Sequence, residues 1–234
     1  MKRLILLLVF PFLLIADLES SFYEATTQYN QGNFELALDT FQSIDAMSPA
    51  LDYNIGNSLM RLGRTSEAIA YYRRAQWQAP GDPDIQANLV RAVSELEAPA
   101  PKLPLLRSLT GWWTPSTWKT ALMAGCWLVA GLGCAITFLP KVKSISFWVL
   151  PPAGLFLIVA ALGTWASLPT HFMSEAVIKG QEGITRFEPL PDATEKTKLP
   201  GGSVVTVIEQ DRDWLRIAFD ADTGWIPSED VIRL

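Results

Sequence analysis

The chain has 234 residues, with 24 Asp and Glu against 19 Lys and Arg, one His and two Cys. Its net charge of −5 arises from two acidic stretches, 17–110 and 171–234, each with 12 acidic and 7 basic side chains and so −5 apiece, offset by the five remaining basic residues Lys2, Arg3, Lys119, Lys141 and Lys143. That balance argues against nucleic acid as a partner, because phosphate must be neutralised by Lys and Arg. The single His and two Cys leave no material for a zinc cluster, a Cys–His pair or a Ser–His–Asp set.

Met1-Lys2-Arg3 followed by the apolar run Leu4–Ala16 has the layout of a signal peptide or N-terminal anchor. The run is short for a spanning helix and Pro11 interrupts it. Cleaved or retained, residues 1–16 keep their basic end in the cytoplasm and export the segment after them.

Residues 17–98 contain an internal repeat of 31 residues, marked by Gly32/Gly63, Ala37/Ala68, Phe41/Tyr72 and Pro49/Pro80. Gly turns the chain between two helices, and Ala lets them approach. The aromatic fills the space between them, and Pro stops the second helix. The pattern resembles the tetratricopeptide repeat. A further helix, Asp84–Leu96, begins as a third repeat would, with Asp82 as N-cap and Pro83 in its first turn. Asn54, Asn57 and Arg61 fall at i, i+3 and i+7 on one helix face. Asn57 and Asn88 are again 31 apart and read as equivalent positions on successive first helices, with Arg91 three residues further on. Asn donates and accepts together, and Arg forks onto a carboxylate. These five residues therefore form the candidate partner-binding set. The resemblance implies that an Asn six residues before the helix-end Gly clamps a partner's backbone, and Asn57 stands there before Gly63. Thr26 occupies that place in the first repeat. The alternative role for the Asn residues is to bridge neighbouring helices.

Residues 99–117 form a Pro-rich and interfacial linker. Beyond it lie two apolar runs, 118–139 and 145–168, joined by the short loop 140–144. Each is long enough to cross a hydrocarbon core as a helix, and together they predict a transmembrane hairpin. The segments before Trp118 and after Leu168 then lie on the same side of the lipid bilayer. Cys126 and Cys134 both fall in the first run, about 12 Å apart at helical rise, too far for a disulfide. Small residues Ala121, Gly125, Gly131 and Ala135 suit close helix packing, and Pro151-Pro152 is expected to kink the second run. No ionisable residue in its interior suggests an ion path. Lys141 and Lys143 in the loop suit the cytoplasmic side. Lys102, Arg107 and Lys119 flank the other end and point the opposite way, so the N-terminal signal decides and places both acidic lobes on the extracytoplasmic side.

Residues 172–234 change period. Ala176–Lys179, Ser203–Gln210 and Trp214–Phe219 read as strands. Pro200-Gly201-Gly202, Asp211-Arg212-Asp213 and Asp222-Thr223-Gly224 read as turns. The order of these markers through Gly224-Trp225-Ile226-Pro227 resembles the bacterial SH3 (SH3b) module, a small all-β barrel. Trp214 and Trp225 read as core and rim of that barrel, or alternatively as its ligand surface. The Asp pairs 211/213 and 220/222 read as turn formers. The fold class is therefore multidomain: an α-helical tetratricopeptide solenoid, a two-helix transmembrane hairpin and an SH3-like barrel.

No catalytic, metal or cofactor site emerges, so the chain reads as a non-enzyme. The order of its parts resembles the BatE-like proteins of bacterial aerotolerance (Bat) operons. The closest match runs from Tyr53-Asn54-Ile55-Gly56-Asn57-Ser58 to Asp82-Pro83-Asp84-Ile85-Gln86-Ala87-Asn88-Leu89. The resemblance implies an inner-membrane scaffold beside von Willebrand factor A-type membrane proteins and a MoxR-type AAA ATPase. A second function class stays open, a cell-envelope sensor or peptidoglycan binder acting through the SH3b lobe. The barrel packing on the repeats is a third arrangement that the same-side topology permits.

Overall fold

The computed structural model describes residues 18–111, 113–138, 143–168, 174–220 and 222–234. The expected signal segment 1–16, most of the hairpin loop and His171 lie outside the described residues. The chain divides into two compact units. One holds the segments up to Gln76, Asp82–Pro101 and Phe172–Leu234, and the other holds Trp77–Gly81 with Lys102–His171.

The first unit begins with five helices: α1 (18–30), α2 (Phe34–Ser43), α3 (Pro49–Arg61), α4 (Thr65–Gln78) and α5 (Pro83–Glu95). Gly32 (φ +86°) and Gly63 (φ +71°) turn the chain between paired helices in the left-handed region, which costs glycine little. Ala37, Phe41, Ala68 and Tyr72, the repeat markers, are all buried in one core with Leu38, Ile55, Leu59, Ile69 and Leu89. Gly56 lets α3 meet α4, since a Cβ there would lie 2.6 Å from Cε1 of Tyr72.

Pro49 does not stop the second helix, as the repeat pattern suggests. The α2 helix ends at Ser43, and Pro49 opens α3 behind Ser48, whose hydroxyl accepts from the Leu51 N–H at 3.1 Å. Proline suits a first-turn position, where its missing N–H has no partner to lose. The spacing also changes along the chain. Helix α3 runs from 49 to 61 and α5 from 83 to 95, an offset of 34 at both ends. Counted along its helix, Asn57 therefore corresponds to Arg91, not to Asn88.

The same unit contains seven strands: β1 (Glu175–Ile178), β2 (Glu182–Arg186), β3 (Glu195–Pro200), β4 (Val204–Asp211), β5 (Trp214–Phe219), β6 (Asp222–Pro227) and β7 (Val231–Arg233). They form one antiparallel sheet in the order β3-β2-β6-β5-β4-β1-β7 around Ile178, Val205, Leu215, Ile217 and Ile226. Asp222-Thr223-Gly224 is strand rather than turn. Asp220 (φ +48°) already reverses the chain, so Phe219 pairs directly with Asp222. Gly224 then sits mid-strand, where a Cβ would lie 2.8 Å from Cβ of Thr185.

The barrel packs on the repeats. Val177 is buried in the repeat core, and Val204, Ile232 and Leu234 pack against it. Arg73 on α4, 1% exposed, forks onto Glu175 with Nε to Oε2 at 2.8 Å and Nη2 to Oε1 at 2.9 Å. The third side of its guanidinium donates to Gln76 Oε1 at 2.6 Å. The Gly180 N–H donates to Ser66 Oγ at 3.2 Å. A charged pair this buried is tolerated only when its remaining hydrogen-bonding groups are satisfied, and here they are.

The second unit contains α6 (Leu105–Thr110), α7 (Pro115–Phe138) and α8 (Lys143–Ala166). Two spans in it, Pro115–Ile136 and Trp148–Ala166, are long and apolar enough to cross a membrane, with mean hydropathies of 1.5 and 1.8. They run antiparallel: Gly125 faces Phe156 and Leu157, and Gly163 faces Trp118. A Cβ at Gly131 would meet nothing within 4 Å, so only part of the small-residue set serves this contact. The α8 helix continues through Pro151 and Pro152. At the other end, Arg107 donates through Nε to the Trp77 carbonyl at 3.0 Å and through Nη1 to Ser167 Oγ at 3.0 Å. Its Nη2 also donates to the Trp77 carbonyl. Burial pushes the Arg107 pKa down to about 10, so the group remains charged at neutral pH.

Candidate functional site: a polar groove on the repeats

The first helices of the repeats enclose a groove of about 590 Å³, lined by side chains of α1, α3 and α5 with Tyr72 of α4 at its base. Asn57 and Arg61 come from α3, and Asn88 and Arg91 from α5. Four of the five candidate residues therefore meet. Asn54 does not join them. Its amide donates to the Ala50 carbonyl at 2.8 Å, within its own helix.

The two asparagines bridge helices. Asn57 Oδ1 accepts from the Tyr72 hydroxyl at 2.7 Å and from Asn88 Nδ2 at 2.9 Å. The second N–H of Asn88 donates to the Tyr53 hydroxyl at 3.0 Å. Burial, then the neighbouring phenols of Tyr53 and Tyr29, push the Tyr72 pKa far above its usual value, so its hydroxyl keeps its proton and donates. This network leaves two groups over among the described residues, the Asn57 Nδ2 donor and the Asn88 Oδ1 acceptor. A peptide unit offers the complementary pair, a carbonyl and an N–H.

The two arginines make no ion pair among the described residues. Arg61 lies over the Phe34 ring, 4.5 Å from its centroid, which orients the guanidinium without neutralising it. The one carboxylate lining this part of the groove is Glu95, which accepts from Thr65 Oγ1 at 3.2 Å. The tyrosines are not among the residues singled out from sequence. Tyr53 lies four residues before Asn57, one turn back on the same face, and that spacing would have found it.

On the barrel, Trp214 and Trp225 are half-exposed, and neither belongs to the core. Strand alternation decides this: Leu215, Ile217 and Ile226 point inward, so the indoles point out. Trp225 pairs with Arg186 on one side and Arg216 on the other, and Arg216 reaches Glu209 at 3.5 Å. Cys126 and Cys134 are free thiols on α7. Among the described residues, no group of three His, Cys, Asp or Glu is placed to hold a metal ion.

Residues 50–82, which span most of α3 and all of α4, match the tetratricopeptide repeat, and residues 186–232 match the bacterial SH3 domain. The chain carries both modules. No curated protein matches it. Among solved structures it is similar to the crystal structure of the Yersinia enterocolitica type III secretion chaperone SycD in complex with a peptide of the translocator YopD. The identity is 17%, over 63% of this chain and 94% of that chain, with a TM-score of 0.34.

Proposed function

We propose that the protein is a non-enzymatic membrane adaptor that holds a protein partner in the groove of its repeats. The observation that carries this is the pairing of leftover groups in one cavity: an amide donor and acceptor for a peptide backbone, and two arginines without ion pairs. A tetratricopeptide module whose groove is chemically unfilled is suited to capture rather than to support alone. The antiparallel apolar helices support a two-pass anchor in the bacterial inner membrane, and the signal-like layout of residues 1–16 supports an extracytoplasmic position for the repeats and barrel. On the resemblance to BatE-like proteins, the partners are von Willebrand factor A-type membrane proteins working with a MoxR-type ATPase in a Bat-type complex.

The test is capture of membrane proteins by the full chain in mild detergent, comparing wild type with the double variant R61A/R91A. Both side chains are solvent-facing, so the variant should unfold at nearly the wild-type temperature while losing at least tenfold in partner recovery. Equal recovery would remove the groove from the reading.

A second reading rests on the outward indoles. Trp225 between Arg186 and Arg216 gives the barrel a local aromatic and cationic row, suited to an anionic wall component such as peptidoglycan. Co-sedimentation of the full chain with purified sacculi, lost in W225A, would favour this envelope-sensing role.

A further inference from the structure

The groove does not end at Tyr53. That ring also lines a second cavity of about 200 Å³, formed with Pro49, Ala50, Asp82, Asp84 and Ile85 at the opposite end of α3 and α5. The two cavities are thus consecutive along the same pair of helices and differ in sign. One end presents Arg61 and Arg91 against Glu95, and the other presents Asp82 and Asp84 with no basic side chain. Neither aspartate makes an ion pair among the described residues.

We propose that the groove takes an extended peptide segment of a protein partner bearing a carboxylate for Arg61 and Arg91 and, three or four residues away, a cation for Asp82 and Asp84. The proposal rests on the groove being the partner site. The spacing comes from helix geometry. Asp84 and Arg91 are seven residues apart along α5, and Asp82 at its N-cap is nine from Arg91, so at 1.5 Å per residue the charged ends are about 10–14 Å apart. An extended chain covers that distance in about three or four residues. Between the ends, Asn57 Nδ2 and Asn88 Oδ1 meet the backbone and read no side chain, so the selection lies in the two charges.

Acids at a helix start and bases near its end also suit the helix dipole. Asp82 serves in addition as the N-cap of α5, its Oδ1 accepting from the Asp84 and Ile85 N–H groups at 2.9 and 3.2 Å. Replacing the acids by Asn separates the two roles, because Asn caps as well as Asp and carries no charge.

The experiment is selection of a displayed random dodecapeptide library on the full chain in detergent micelles. It uses wild type, D82N/D84N and R61A/R91A, with thermal unfolding of each measured alongside. On wild type, sequences with Lys or Arg three or four residues from Asp or Glu should be enriched at least tenfold. On D82N/D84N the preference for the acid should persist and the preference for the spaced cation should fall to background. Enrichment of acidic peptides with no spaced cation, or a cation preference unchanged in D82N/D84N, would overturn the proposal and leave the groove standing. Selection on wild type no different from that on R61A/R91A would overturn both.

Discussion

The junction between repeats and barrel and the groove on the same repeats treat polar groups in opposite ways. At the junction Arg73 is fully enclosed, and its guanidinium is occupied by Glu175 and Gln76. In the groove, Arg61 and Arg91 face solvent without ion pairs among the described residues, where the Asn57–Asn88–Tyr72 network also stops one donor and one acceptor short of closure. Burial explains the contrast. An unpaired charge at the junction would cost several kcal/mol, whereas water satisfies one in the groove until a ligand replaces it. A satisfied buried pair suits a lasting contact, and accessible polar groups of this kind are what the proposed capture of a partner would use.

The contrast can be broken most strongly at the junction. Glu175→Ala leaves Arg73 charged and enclosed, and should lower the stability of the full chain by about 3–5 kcal/mol in chemical denaturation followed by Trp fluorescence. The double variant R73M/E175M should recover most of that loss, and failure to recover would mean that the stranded charge is not what destabilises Glu175→Ala. Next in size is Tyr72→Phe, which removes one of the two bonds to Asn57 and should cost about 1 kcal/mol. An unchanged midpoint would show that the network contributes nothing to stability. The groove variant R61A/R91A should shift stability by less than about 0.5 kcal/mol, despite its large effect on capture, and calorimetry checks this. The smallest effect is a pH dependence in the barrel. A hydrogen bond from Lys196 Nζ, then one from the Thr223 N–H, hold the Asp222 carboxyl below its ordinary value of 3.8. Its contribution is therefore present above that value and lost as pH falls through the lowered one. An acid titration of barrel fluorescence should be measurably flatter for D222N.

Local features of this fold were legible in the sequence, and long-range ones were not. Gly32 and Gly63, Ala37 and Ala68, and Phe41 and Tyr72 act within one helical hairpin, so their fixed spacing carries their roles. The change of offset from 31 to 34 was hidden because α4 is longer than α2, 14 residues against 10. Asn57 and Asn88 nevertheless touch, so the sequence paired the correct residues on an incorrect equivalence. The outward direction of Trp214 was readable from the Leu215 and Ile217 alternation and that of Trp225 from its neighbour Ile226, but bulky aromatics suggest a core when size is weighed above period. The contact between Arg73 and Glu175 joins residues 102 apart, and no pattern of neighbours encodes it. The groove obeyed the same division: its asparagines and arginines came from helix spacing, as Tyr53 could have, while Tyr29, Tyr72 and the acidic end emerged only once helices from separate repeats were side by side.

Gly202 sits where the barrel touches the repeats, with φ +80° and space for a hydrogen but not a methyl: a Cβ there would lie 2.4 Å from Cδ1 of Ile69 and 3.0 Å from Cδ1 of Leu96. One added carbon at this position would act as a wedge, driving the two lobes apart without altering any charge. The association of repeats and barrel thus hinges on the smallest side chain available, and variation at position 202 among relatives would show which of them keep the two lobes joined.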